Sequence, residues 1–168
     1  MRMPPPSEGR ACTGRAVAQA SAAMDAELAF TFNRPATTQL VTRGAARFFV
    51  DLGWAPLLEV GLPNGRRADV LALGPKGQLA IVEVKSGLED YRTDRKWHEY
   101  RDWCDRFYFA VAPEFPREIL PPGPGLIVAD AFGGAILIEC EPVPLAPARR
   151  KSLTLAFARL AAPRAMAL

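Results

Sequence analysis

Two short apolar runs joined by Gly74-Pro75-Lys76-Gly77 set the strongest constraint on how this chain can fold. Asp69 to Leu73 and Leu79 to Lys85 have strand length and aliphatic content, and so tight a connection makes them an antiparallel hairpin. Pairing Leu73 with Leu79 across the turn, and counting back four residues on each strand, sets Asp69 opposite Glu83. Directly opposed residues share a face of the sheet, and Lys85 shares it too because side chains alternate with a period of two. The two carboxylates and the ammonium are therefore predicted to converge at one end of the hairpin. A slip of one residue in register would undo the match.

Charges set among Ile81, Val82 and Val84, in what reads as a central strand, are costly unless paired or engaged with a ligand. The plain alternative is a salt bridge closing the strand end, since Glu-x-Lys occurs by chance in many strands. The residue types also suit phosphodiester hydrolysis, which needs a hard cation to stabilise charge on the phosphate and activate water. Mg²⁺ takes oxygen ligands, typically one or two carboxylates with waters and phosphate. Asp69 and Glu83 would supply the carboxylates, Val84 a backbone carbonyl, and Lys85 would orient water or stabilise developing negative charge.

The rest of the chain frames this hairpin. Residues 1 to about 23, with Pro4-Pro5-Pro6 and no periodic apolar pattern, read as a disordered tail. A helix is predicted from about Thr38 to Leu52, capped by Thr37 or Thr38 and ended at Gly53, with Val41, Ala45, Phe48 and Leu52 on one face. Trp54 to Val60 reads as an edge strand, because Pro56 cannot donate to a ladder. A second helix over about Tyr91 to Cys104 sets Trp97, Tyr100 and Cys104 on one face. It leads to a strand over Phe107 to Val111, parallel to its predecessor through a right-handed crossover. Leu126 to Asp130 and Ala135 to Cys140 form another hairpin around Gly133-Gly134, and a last helix spans roughly Pro147 to Leu160. The fold class is α/β, a mixed β-sheet flanked by helices. One domain is expected over residues 24–163, with a short tail at 164–168.

Composition narrows the function. At 168 residues there is little room for a second core, and a net charge of +3 permits nucleic-acid binding without demanding it. The cysteines, Cys12, Cys104 and Cys140, are scattered, and His98 is the single histidine. That disfavours a structural zinc site and a Ser-His-Asp triad, and it suits a reducing cytoplasm. No apolar stretch approaches the roughly 20 residues of a membrane span, and the N-terminus lacks the apolar core of a secretory signal.

Arg66 and Arg67, beside the Asn64-Gly65 turn, are candidates for DNA-backbone contact, with Arg43 on the first helix and Lys96 on the second. Each has solvated surface charge as its alternative. Trp103 offers a base-stacking surface, His98 reads as a surface residue, and Arg149-Arg150-Lys151 reads as a charged surface or a DNA contact.

Arg66-Arg67-Ala68-Asp69, followed by Ile81-Val82-Glu83-Val84-Lys85-Ser86, resembles the PD-(D/E)XK restriction-endonuclease-like superfamily. Three further stretches make the resemblance more specific: Asp94-Arg95-Lys96-Trp97, Phe107-Tyr108-Phe109-Ala110-Val111 and Gly125-Leu126-Ile127-Val128-Ala129-Asp130. With Tyr100 and Cys104-Asp105, they are similar to the MmcB-type DNA repair proteins of bacteria, over about Thr38 to Leu160. The resemblance implies a restriction-endonuclease-like fold with Asp69, Glu83 and Lys85 as the catalytic core. It implies a Mg²⁺- or Mn²⁺-dependent endonuclease acting on double-stranded, branched or damaged DNA. Many relatives carry another acid on the first core helix, where this chain offers only Asp51. Glu59 is the substitute candidate for a metal-side carboxylate, with a plain surface acid as the equal alternative. The expected partners are DNA, with a second copy of the chain or other repair proteins as further candidates, and no membrane. A non-catalytic DNA-binding scaffold that keeps the fold is the rival reading, and an RNA-processing nuclease is a third.

Overall fold

All seven residues of the strand Leu79–Lys85 are buried, and the architecture is arranged around that strand. The structure, a computed structural model, describes residues 34–87 and 96–167. In chain order the elements begin with α1 (Arg34–Asp51), β1 (Ala55–Gly61), β2 (Arg67–Leu73) and β3 (Leu79–Lys85). A 3-10 helix (Trp97–Trp103), β4 (Arg106–Val111) and a 3-10 turn (Arg117–Ile119) follow. The chain then forms β5 (Gly125–Ala129), β6 (Gly134–Ile138) and α2 (Pro147–Met166). The six strands build one sheet in their chain order. β3, β4 and β5 run parallel, while the pairs β1/β2, β2/β3 and β5/β6 are antiparallel. This is the mixed α/β sheet expected from the sequence.

The β2–β3 turn is closed by the Gly74 amide donating to the Gln78 carbonyl (2.8 Å) and the Gly77 amide donating to Gly74 (2.9 Å). Leu73 pairs with Leu79, the register counted from the sequence. Pro56 sits on β1, the outermost strand, where its missing donor costs no ladder bond on the open side.

Both faces of the sheet are covered, as parallel strands require. On one face Val41, Ala45 and Phe49 of α1 pack on Val70, Ala72, Ala80, Val82, Tyr108 and Ala110. On the other, Leu71, Leu79, Ile81, Phe107 and Phe109 meet Tyr100 of the 3-10 helix, Cys104 just after it, and Leu153 and Phe157 of α2. Gly44 lets α1 press on the β5–β6 turn, since a Cβ there would collide with the Asp130 and Gly133 carbonyl oxygens. Gly53, at φ 74°, ends α1 as expected, and the next amide, Trp54, bonds back to Phe49 (2.9 Å).

The strands shift by a residue or two from the sequence reading, as where β6 ends at Ile138 rather than Cys140, and the helices differ more. The buried stripe of α1 is Val41, Ala45 and Phe49; Phe48 is half-buried and Leu52 is exposed beyond the helix end. Two adjacent aromatics fit neighbouring helical stripes equally well. Phe49 takes the core because its ring packs edge-on to Trp54 and Tyr108. The helix also starts earlier, at Arg34, with Pro35 in the first turn where its missing N–H is tolerated. The described part of the predicted second helix is 3-10 rather than α, and its beginning lies outside the described residues, as does the N-terminal tail. Finally, α2 continues past Leu160 to Met166, with Pro163 inside it.

One buried ion pair ties α2 to the sheet. Asp105 is 8% exposed at its side chain and takes both Arg150 guanidinium nitrogens (2.6 and 2.7 Å). Its carboxylate also accepts the Leu79 amide (2.7 Å) and the Leu145 amide (2.8 Å). Burial alone would raise the Asp105 pKa, but Arg150 and the two amides together hold it below the ordinary value of 3.8. A lowered acid stabilises the fold above its unfolded pKa, and that contribution is lost as pH falls through the folded one. Asp105→Ala is expected to cost roughly 2–4 kcal/mol at pH 7 by leaving Arg150 and two amides without their acceptor. Urea unfolding between pH 7 and pH 2.5 checks this, and the wild type's advantage over the variant should shrink progressively as pH falls below about 4.

Candidate active site

Where the backbone ladder of β2 and β3 stops, two carboxylates take over as acceptors. The last paired residues at this end are Val70 and Val82. One step further, the Val84 amide donates to Asp69 Oδ2 (2.8 Å), and the Asp69 amide lies 3.4 Å from Glu83 Oε1. Each acid thus meets a backbone amide of the opposite strand, which fixes where its carboxylate points. Asp69 shares parity with Leu71 on β2, and Glu83 and Lys85 share parity with Ile81 on β3. All three therefore belong to the sheet face covered by the 3-10 helix and α2.

Glu83 and Lys85 are 6% and 5% exposed, so both charges sit within the protein. Lys85 Nζ stands 5.8 Å from the centre of the Phe109 ring, a cation–π distance. Burial pushes the Asp69 pKa above its ordinary 3.8; the Val84 amide and Lys85 oppose the rise, and the negative charge of Glu59 adds to it. The cluster is therefore a partly desolvated, acid-rich corner with one ammonium in it.

Glu59 lies between the pairs Leu58–Val70 and Val60–Ala68, at the level of Asp69 on the neighbouring strand. Its φ is 54°, the one positive φ among the described non-glycine residues. Such backbone costs on the order of 1–3 kcal/mol and tends to gather at functional sites. Its carboxylate is exposed and bonds Arg67 at 2.7 Å. Among the described residues, no three His, Cys, Asp or Glu side chains gather closely enough to hold a metal ion as a cage.

The other candidates are distributed differently. Arg66 is held by Glu99 in a two-pronged pair (2.8 and 3.2 Å), which lowers the Glu99 pKa and ties the Asn64–Arg66 turn to the 3-10 helix. Arg67 remains exposed at the mouth, shared with Glu59. Lys96 is exposed at the start of the 3-10 helix. Arg43 is exposed on α1, which packs on the opposite sheet face from the acids, so the structure does not bring it to them. Trp97 and Tyr100 stack on Phe107 as core residues. Trp103 is half-buried, with the Arg149 guanidinium over its ring at 5.1 Å, and His98 is exposed. Sequence reasoning missed the polar role of Tyr100, whose hydroxyl donates to the Arg67 carbonyl (3.1 Å) two residues before Asp69. A buried tyrosine needs a partner for its hydroxyl, and that need was the available signal.

Cys104 and Cys140 are free and buried, and burial pushes the Cys104 thiol up to about 12, which leaves it inert as a nucleophile. Among the described residues, no helix is long and apolar enough to cross a membrane.

A family model described as "DNA repair protein MmcB-like" matches residues 26–168. A solved structure of a protein of unknown function from Silicibacter pomeroyi superposes with a TM-score of 0.75 at 43% sequence identity. That match covers 78% of this chain and 90% of the other. No curated protein matches the chain.

The raised Asp69 pKa has a testable sign. The acid form is favoured by the fold, so the contribution is present below the ordinary 3.8 and is lost as pH rises through the raised value. At pH 7.5, without added divalent cations, the ionised carboxylate is a net burden. Asp69→Asn, which keeps an oxygen for the Val84 amide, is expected to raise the urea midpoint there, and the gain should vanish by pH 3.5. A midpoint that drops at pH 7.5 would refute the electrostatic account.

Proposed function

Because the chain belongs to the MmcB-like family of DNA repair proteins, we propose that it is a divalent-metal-dependent DNA nuclease of the PD-(D/E)XK kind. The observation that carries this reading is the reciprocal hold between β2 and β3. Val84 fixes Asp69, and the Asp69 amide faces Glu83, with buried Lys85 on the same face. A salt bridge that merely closed a strand end would not need two acids in a corner where Asp69 resists ionisation.

The donor chemistry fits Mg²⁺ or Mn²⁺: Asp69 and Glu83 would offer hard carboxylate oxygens, and the Val84 carbonyl would be the further oxygen ligand. A bound cation would also relieve the negative charge that burial and Glu59 place on Asp69. When bound, the metal supplies Lewis acidity at the phosphate and a more acidic water. Lys85, seated over the Phe109 ring, would orient that water or balance negative charge as the phosphate is attacked. Arg67 at the mouth is the residue best placed for the DNA backbone, whereas Arg66 serves the turn through Glu99. Glu59, held to Arg67, would shape the field at the rim rather than complete a cage. The substrate class is double-stranded, branched or damaged DNA, and the buried free thiols suit a cytoplasmic location.

A non-catalytic DNA-binding scaffold draws on one observation, the lack of a three-ligand group among the described residues. Cleavage of supercoiled, single-stranded and branched DNA with Mg²⁺, Mn²⁺ or EDTA separates the two. The nuclease reading expects metal-dependent nicking that falls at least about a hundredfold in Asp69→Ala and Lys85→Ala. Equal DNA binding by all three proteins with no cutting by any would establish the scaffold.

A further inference from the structure

One row of residues crosses the sheet on the face that carries the acids, and its two ends differ in chemistry. Glu83 pairs with Phe109, Phe109 with Leu126, and Leu126 with Ile138. Beyond Phe109 the row forms the floor of a cleft of about 480 Å³, roofed by Pro121, Pro122 and Pro124 and flanked by Leu137. That volume falls in the range of small-molecule sites, and the lining is mostly apolar. Leu137 and Ile138 are 50% and 55% exposed, so apolar surface there is left open to water.

Three features say what fits. The cleft lies about two strand spacings, roughly 10 Å, from Glu83, within reach of a base attached beside a phosphate at the acids. It shares Phe109 with the seat of Lys85, so cleft and acids have a common wall. Its lining holds one cation, Arg117, and no acid, which complements a phosphodiester. Arg117 is exposed, with one guanidinium nitrogen anchored to the Pro113 carbonyl (3.0 Å). The prolines fix the roof before binding, so little ordering is required when the cleft fills.

We propose that this cleft receives the base of an unpaired nucleotide next to the phosphate held at Asp69, Glu83 and Lys85, and that Arg117 contacts the backbone of that nucleotide. The inference rests on the nuclease reading. It narrows the substrate to DNA with an extrahelical or displaced nucleotide beside the cut, since a stacked base cannot enter a side pocket. Arg117, the charged side chain of the lining, is assigned to the nucleotide backbone, and the other lining side chains are apolar, so recognition is of unpairing rather than of sequence.

The test is binding of a duplex with one bulged 2-aminopurine against the same duplex fully paired, in EDTA and again with Ca²⁺. Anisotropy and 2-aminopurine emission are read for the wild type, Leu137→Trp and Arg117→Ala. Both positions are exposed, so neither change should disturb folding. The wild type should prefer the bulge by about tenfold, the scale of one buried base, with a change in emission. Leu137→Trp should abolish preference and emission change while leaving affinity for paired DNA intact, and Arg117→Ala should weaken the preference. Equal binding of both DNAs by the wild type, or an undiminished preference in Leu137→Trp, overturns the proposal and leaves the cleft to an apolar group of a partner protein. In that event metal-dependent cutting of DNA would still uphold the nuclease reading. Failure to bind either DNA would overturn both.

Discussion

The structure depends on the pairing of β2 with β3. The short turn pairs Leu73 with Leu79, and that register decides which side chains face each other fourteen residues apart in sequence. The ladder then ends at Val70 and Val82, and the next backbone amides find carboxylate oxygens instead of carbonyls. Buried amides must be satisfied, so the acids are oriented by a requirement of the backbone itself. Slipping the register by one residue would leave those amides unsatisfied and turn the apolar residues of β3 inside out.

Burial of β3 on both faces explains why the charges at its end are unusual. A strand with seven buried residues has no solvated side on which to place Glu83 and Lys85. They are held in a corner where Phe109 faces the ammonium and Asp69 is disfavoured as an anion. Across the sheet the same row turns apolar at Phe109, Leu126 and Ile138. The acid cluster and an apolar cleft therefore lie on one face of the sheet, with Phe109 common to both.

Other polar groups hold that surface together. Asp105 gathers Arg150, Leu79 and Leu145 and so fastens α2 to the sheet. Glu99 and Tyr100 of the 3-10 helix bind Arg66 and the Arg67 carbonyl, which steadies the start of β2 just ahead of Asp69. These contacts reassign charges that look alike in sequence. Of the neighbours Arg66 and Arg67, one braces a turn and the other faces the mouth. Of Arg149 and Arg150, one lies over Trp103 and the other joins a buried carboxylate.

The sequence alone determined the strands, the β2–β3 register, the parallel crossover to β4 and the shared face of Asp69, Glu83 and Lys85. Those follow from periodicity and from a short turn that favours pairing Leu73 with Leu79, both local properties of the chain. Tertiary structure decided the rest. It chose Phe49 over Phe48 for the core, because two aromatic stripes differ only in what they meet. It drew the Trp97–Trp103 segment into a 3-10 helix, which the apolar spacing of that segment did not distinguish from α-helix. It also sorted the arginines, because a guanidinium's partner is set by which carboxylate or carbonyl the fold brings near. Arg66 and Glu99 are 33 residues apart and Arg150 and Asp105 are 45 apart, distances over which no local pattern carries information.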